Sequence, residues 1–375
     1  MFVPLLLSFS GVATSMVVSL SQGIILTGAI TNVFVFLPER HPEARDLPVI
    51  DYDGVALMLP MLSLGASFGV LANQVSPLWV LIVLLTMCMS MALWRTGLKA
   101  VKLYQAERAA MDAGASSPPS AAKDSAASPR SPFAALELAG QHTWQVLVIL
   151  GIWAVMMLVS FHDLDPCSWT FVWYLAGLTA ALFACTVAVT QRIDSDSAAK
   201  ALQDGPGKQT FNWMAKSRFH FPAVAWVTGF LSAMLGIGGG LILSPVLVEV
   251  GMHSQAVQAT VVVVLLCKTS IAAIQYAALG KVDWDYTLWY AGVAFVATVL
   301  GQIACELYVR RQKRYSLITF AITGVLLASL VALLVAGTQE VAEDFRLGRN
   351  MWFSMGGLCH ASADRTFLEL SVGRL

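Results

Sequence analysis

Two runs in this chain can do chemistry: GIGGG over residues 236–240 and CKTS over residues 267–270. Both suit an oxyanion. Gly238, Gly239 and Gly240 carry no Cβ, so a ligand can approach their backbone closely. A helix starting at Leu241 has unpaired N–H groups in its first turn and about half a positive charge from its macrodipole. Helix N-termini hold anions in this way. The same glycines also permit tight packing between helices, and both readings stay open. Lys268 would add an ammonium, and Thr260, Thr269 and Ser270 would add hydroxyls. Ser21 and Gln22 occupy the corresponding part of an earlier apolar segment. Each hydroxyl can instead bond its own helix backbone. Six histidines and six cysteines form no C-x-x-C or H-E-x-x-H spacing, so no zinc site is expected. No nucleophile–base pair stands out either. The residues therefore predict neither an enzyme nor a cofactor.

The elements that must position these groups lie in lipid. Charged residues make up 12% of the 375 and apolar ones 57%, whereas a soluble domain carries about 25% charged. The 23 basic and 23 acidic side chains cancel, and with no basic stripe a nucleic-acid partner is excluded. A helix needs about 20 apolar residues to cross the hydrocarbon core. Segments 13–37, 54–72, 76–97, 143–161, 169–190, 222–250, 254–279, 286–309 and 315–337 meet or approach that length. They are too long and continuous for barrel strands. The fold class is therefore all-α: a polytopic membrane helical bundle in which each backbone satisfies itself.

Basic residues mark the cytoplasmic loops. Loop 98–142, loop 191–221 and the RRQKR run at 310–314 are basic, while loop 162–168 carries Asp163 and Asp165. Three full crossings between the second and third basic loops would put RRQKR on the wrong side. A segment 222–250 that enters and returns removes the conflict; a kinked full span is the alternative. Glycine costs about 1 kcal/mol relative to alanine in a helix, so GIGGG is where the segment should break. Residues 226–236 and 241–250 would then be re-entrant half-helices, each about 15 Å long.

A duplication supports the same picture. IDYD at 50–53 matches VDWD at 282–285, and Gly69 and Gly301 each follow the second aspartate by sixteen positions. Pro4 opens PLLLSFSG as Pro245 opens PVLVEVG. With the loop parity, the two copies read as an internal inverted repeat with glycine-broken half-helices, an arrangement common in secondary transporters. The first copy's entering half-helix would lie ahead of Met1. The expectation is an N-terminally incomplete sequence; a shortened variant with an incomplete site is the alternative. The organisation expected is a first repeat over 1–97, a disordered loop over 98–142, connecting helices and loop over 143–221, a second repeat over 222–337 and a tail over 338–375.

GFLSAMLGIGGGLILSPVLVEVG (229–251), followed by Ala259 and Thr260, resembles the sulfite exporter TauE/SafE family. RHP (40–42), LPVIDYD (47–53), Pro60, Met61, Leu62, Gly65, Cys167 and MWFSMGGLC (351–359) are similar to its eukaryotic, plant-type branch. The resemblance implies a multi-pass carrier of small anions, sulfite, organosulfonates or related sulfur compounds, working by alternating access in a lipid bilayer. Lys268 departs from the small polar residue usual in that family. A non-transporting membrane interaction protein derived from such a carrier is the second reading. The topology puts Cys167 and Cys359 on one non-cytoplasmic side, where a disulfide between them is a candidate. The low-complexity stretch 114–132 reads as a disordered tether.

Overall fold

The computed structural model describes residues 14–37, 48–112, 143–160, 168–204, 220–250, 252, 254–280, 282–312 and 315–346. Among the described residues ten helices follow one another: α1 (Thr14–Phe36), α2 (Tyr52–Val75), α3 (Leu78–Asp112), α4 (Thr143–Ser160), α5 (Trp169–Asp204), α6 (His220–Leu235), α7 (Gly240–Val250), α8 (Ser254–Ala278), α9 (Trp284–Gln312) and α10 (Tyr315–Arg346). Eight of them are long and apolar enough to cross a membrane. The other two, α6 and α7, are the halves of the apolar segment 222–250. Many helices show apolar side chains on the outside, among them Trp173, Leu158 and Trp289. Such side chains suit a lipid surround.

Three helices run past the expected ends of their spans. α3 continues to Asp112, so residues 98–112 of the expected loop are helical. α5 likewise reaches Asp204 and α10 reaches Arg346. The extension LKAVKLYQAERAAMD is dominated by Ala, Leu, Lys, Gln, Glu, Arg and Met, all strong helix formers. Nothing at the edge of the hydrocarbon layer obliges such a helix to stop.

α2 is the centre of the molecule. It packs on α6, α8, α5 and α4, and most of its residues are buried. Its start is set by Asp51, whose carboxylate accepts from the Gly54 amide at 3.1 Å. An aspartate at the N-cap ties up one orphan donor of the first turn. Asp283 does the corresponding work before α9, accepting from the amides of Asp285 and Tyr286. The first aspartate of both acidic-aromatic loops is thus a helix cap.

Small residues bring α2 and α6 into backbone contact. A Cβ on Gly65 would lie 2.1 Å from the Trp226 carbonyl oxygen, and one on Gly69 would lie 2.3 Å from that of Phe230. From the other side, a Cβ on Gly229 would lie 2.1 Å from the Leu62 carbonyl oxygen. Helices in lipid associate through this kind of close packing, because lipid offers no hydrophobic drive. Gly65 meets Trp226, Gly69 meets Phe230 and Asn73 bonds the Met234 carbonyl at 2.7 Å. α2 and α6 therefore run parallel.

The remaining directions follow from similar contacts. α8 runs parallel to α2: the Asp51 amide donates to Thr260, and Gln275 donates to Ser67 further along. α9 runs parallel to α1: Gly23 adjoins Thr287, Gly28 adjoins Thr298 and Gln302 donates to Asn32. α3 and α10 are antiparallel, with Ile82 against Gly337 and Tyr104 edge-on to Phe320.

Candidate functional site

The break in the apolar segment falls at the glycines. α6 stops at Leu235 and α7 starts at Gly240. Gly236 has φ 67°, a left-handed conformation that side chains with a Cβ adopt at a cost of about 1–2 kcal/mol. α7 then runs back along α8. Gly240 lies against Val261 and Leu265, and α7 ends four residues before α8 begins. Since α6 is parallel to α2 and α2 to α8, the two halves form a hairpin.

Substituting Gly236 by alanine is expected to lower the unfolding free energy by about 1–2 kcal/mol, read as a lower thermal midpoint of detergent-purified protein. Gly280→Ala, at the other positive-φ glycine, should show a similar backbone cost without altering anion binding.

The middle of α1 holds the turn in place. Ser21 donates to the Gly236 carbonyl at 3.0 Å and to Val18 of its own helix at 2.7 Å. Gln22 donates from its amide nitrogen to the Ser232 carbonyl at 3.1 Å. That leaves the Gln22 amide oxygen as an acceptor, and Lys268 Nζ donates to it at 3.1 Å. Lys268 lies one turn beyond Leu265 on the face of α8 that meets Gly240. Its side chain is fully buried. Among the described residues no carboxylate pairs with it. An ammonium out of water needs a counter-charge or a full set of acceptors, and one amide oxygen supplies neither.

The amides around the break divide into two sets. The Leu241 amide donates to the Gly238 carbonyl at 3.2 Å, and the amides of Ile242 and Leu243 donate to the Gly239 carbonyl at 3.1 and 2.9 Å. Leu241 is thus already engaged in the first turn. The amides of Gly238, Gly239 and Gly240 have no acceptor among the described residues. Thr228 is a neighbour of the break: its methyl carbon is 3.3 Å from where a Gly239 Cβ would be. It is fully buried and its hydroxyl has no partner. Most buried polar groups are paired, so a bare hydroxyl on a residue that adjoins bare amides marks a region with donors to spare. Sequence reading missed Thr228, because nothing in its neighbours distinguishes it from a threonine bonded to its own helix.

The other expected hydroxyls are placed elsewhere. Thr260 accepts from the Asp51 amide at 3.0 Å and so anchors the start of α2. Thr269 bonds the Leu265 carbonyl of its own helix at 2.7 Å. Ser270 bonds the Cys267 carbonyl and accepts from the Trp153 indole, both at 2.8 Å, and faces α4. The structure thus brings Ser21, Gln22, Lys268 and the three glycines together and sets Thr260, Thr269 and Ser270 apart. Cys167 and Cys359 lie outside the described residues, as do Met1–Ser10. Cys88, Cys185 and Cys267 are free thiols. Among the described residues no cluster of His, Cys, Asp and Glu could hold a metal.

A cavity of about 110 Å³ lies between α3 and α7, with Ile237 and Leu241 in its wall and Arg95 as its charged residue. It adjoins the break from the side opposite α8. Arg95 reads in the sequence only as a marker of the basic loop.

The family model described as sulfite exporter TauE/SafE matches residues 134–330 and 221–362, so both matches contain the glycine break. The chain belongs to the TauE/SafE family. Sulfite exporter TauE/SafE family protein 1 of Arabidopsis thaliana is 26% identical over 378 residues, covering 95% of this chain and 82% of that protein. Family protein 5 of the same plant is 24% identical over 373 residues, with the same shares covered. Family protein 2 is 25% identical over 384 residues. No solved structure matches the chain. With eight spanning helices and this kinship, the TauE/SafE chain is a multi-pass integral membrane protein.

Proposed function

We propose that this TauE/SafE protein is a secondary carrier of small sulfur oxyanions, sulfite and organosulfonates among them, which works by alternating access. The anion sits at the turn of the α6–α7 hairpin. There the amides of Gly238, Gly239 and Gly240, the Thr228 hydroxyl and the Lys268 ammonium replace its water. The observation that carries this reading is a fully buried lysine without a carboxylate, one hydrogen bond away from the α1 segment that holds a glycine break. An oxyanion would supply what Lys268 lacks, and Lys268 would supply part of what a desolvated oxyanion lacks.

The packing supports the moving parts of the proposal. Exchanging the two copies of the duplication turns the α1–α9 pair into the α8–α2 pair, and both pairs run parallel. A short link joins α8 to α9, so α1 is antiparallel to its counterpart α8. That is the relation expected of an inverted repeat, whose two halves can open alternately around one site. Arg95, in the wall of the neighbouring cavity, would draw anions toward the break from one side.

Flux in proteoliposomes tests the carrier reading. Purified protein should exchange labelled sulfite across the bilayer, and unlabelled methanesulfonate should compete. Liposomes that show no flux, beside a working carrier prepared in the same way, would overturn it.

A further inference from the structure

The buried charge at the hairpin turn fixes how much negative charge a guest can bring. Lys268 is the single buried cation among the described residues. The buried carboxyl of Glu107 lies about three turns beyond Arg95 along α3, away from the break. The other groups at the turn are neutral: three glycine amides, the Thr228 and Ser21 hydroxyls and the Gln22 side chain; Arg95, in the wall of the neighbouring cavity, is exposed and not part of the buried charge. An ammonium and a singly charged anion cancel, and the pair can be held in a medium of low dielectric. A doubly charged anion leaves one uncompensated charge there, which costs several kcal/mol after relaxation.

Gln22 holds the ammonium in the absence of a guest. Its amide oxygen occupies the one bonded direction of the Lys268 ammonium, while its nitrogen is tied to Ser232. An amide oxygen is a neutral stand-in for an anion's oxygen. It can yield its place at the loss of one ordinary hydrogen bond.

We infer that the site selects singly charged oxyanions, sulfonates and bisulfite, over sulfate and the sulfite dianion, and that Gln22 holds Lys268 until such an anion displaces it. This inference rests on the carrier reading above. It also predicts that a carboxylate at position 22 acts as a built-in guest. Gln22→Glu would place one negative charge on Lys268 through the same oxygen, at the loss of the bond that the Gln22 amide nitrogen gives to the Ser232 carbonyl.

The test uses the full chain in proteoliposomes, with labelled methanesulfonate as the probe. Unlabelled methanesulfonate and sulfate serve as competitors at matched ionic strength. Methanesulfonate should exchange and compete with itself, and sulfate should compete more than about tenfold less well. The Gln22→Glu protein should still elute as folded protein on size exclusion and lose more than about tenfold of the exchange. If sulfate competes as well as methanesulfonate, the single-charge selectivity is wrong although the carrier stands. A Gln22→Glu protein with undiminished exchange would overturn the role given to Gln22. Absence of exchange by any anion would overturn the carrier reading itself, and this inference with it.

Discussion

Lys268→Met should abolish most anion exchange while leaving the protein folded. Methionine has nearly the length of lysine and fills the same buried space without the charge. Breaking a buried charge-assisted contact typically costs about 3 kcal/mol or more, which corresponds to a loss of about 100-fold in binding or more. Stability should move the other way. Lys268 is buried with no carboxylate partner among the described residues, so its removal relieves a desolvation cost, and the thermal midpoint should hold or rise. A lysine kept only for packing would leave exchange intact when replaced by methionine. Flux and melting measured on the same preparation separate the two roles.

Gly229→Leu should prevent the bundle from forming. The first side-chain carbon would lie 2.1 Å from the Leu62 carbonyl oxygen. That contact is with backbone, so no rotamer change relieves it, and α6 must move away from α2. Overpacking of a well-fitted interface costs about 1–3 kcal/mol and more when backbone must shift. Here the shift separates the hairpin from the helix at the centre of the molecule. The expected result is aggregated protein on size exclusion, or a thermal midpoint lowered by more than about 10 °C. Gly151→Leu and Gly177→Leu are the controls. A Cβ at either of those positions meets nothing within 4 Å, so both proteins should behave as the parent.

The break and the lysine were legible in the sequence because each violates a strong rule. Three glycines in a row defeat a helix, and a lysine in the middle of an apolar segment is costly enough to need a reason. The direction of the hairpin was legible too, from the distribution of basic loops. What escaped depends on partners far away in the chain. Gln22 and Lys268 are 246 positions apart, and Asp51 and Thr260 are 209 apart. Nothing local marks Thr260 as the anchor of α2, or Ser270 as the acceptor of an indole. Thr228 is the reverse case: its interest lies in a bond it does not make, which sequence cannot reveal. Helix ends were misjudged for another reason. Hydropathy locates the hydrocarbon boundary, whereas the length of α3 follows helix propensity, and its extension beyond residue 97 is rich in strong helix formers.

The most direct test of the account is a structure of the protein in lipid with bound 2-bromoethanesulfonate, a singly charged sulfonate whose bromine can be located by anomalous scattering or as strong density. The sulfonate is expected within hydrogen-bonding distance of Lys268 and the amides of Gly238–Gly240, with Gln22 turned off the ammonium and α7 returning along α8. A sulfonate bound elsewhere, with Lys268 still on Gln22, would contradict it. So would residues 241–250 continuing straight from α6 to the far face of the bilayer.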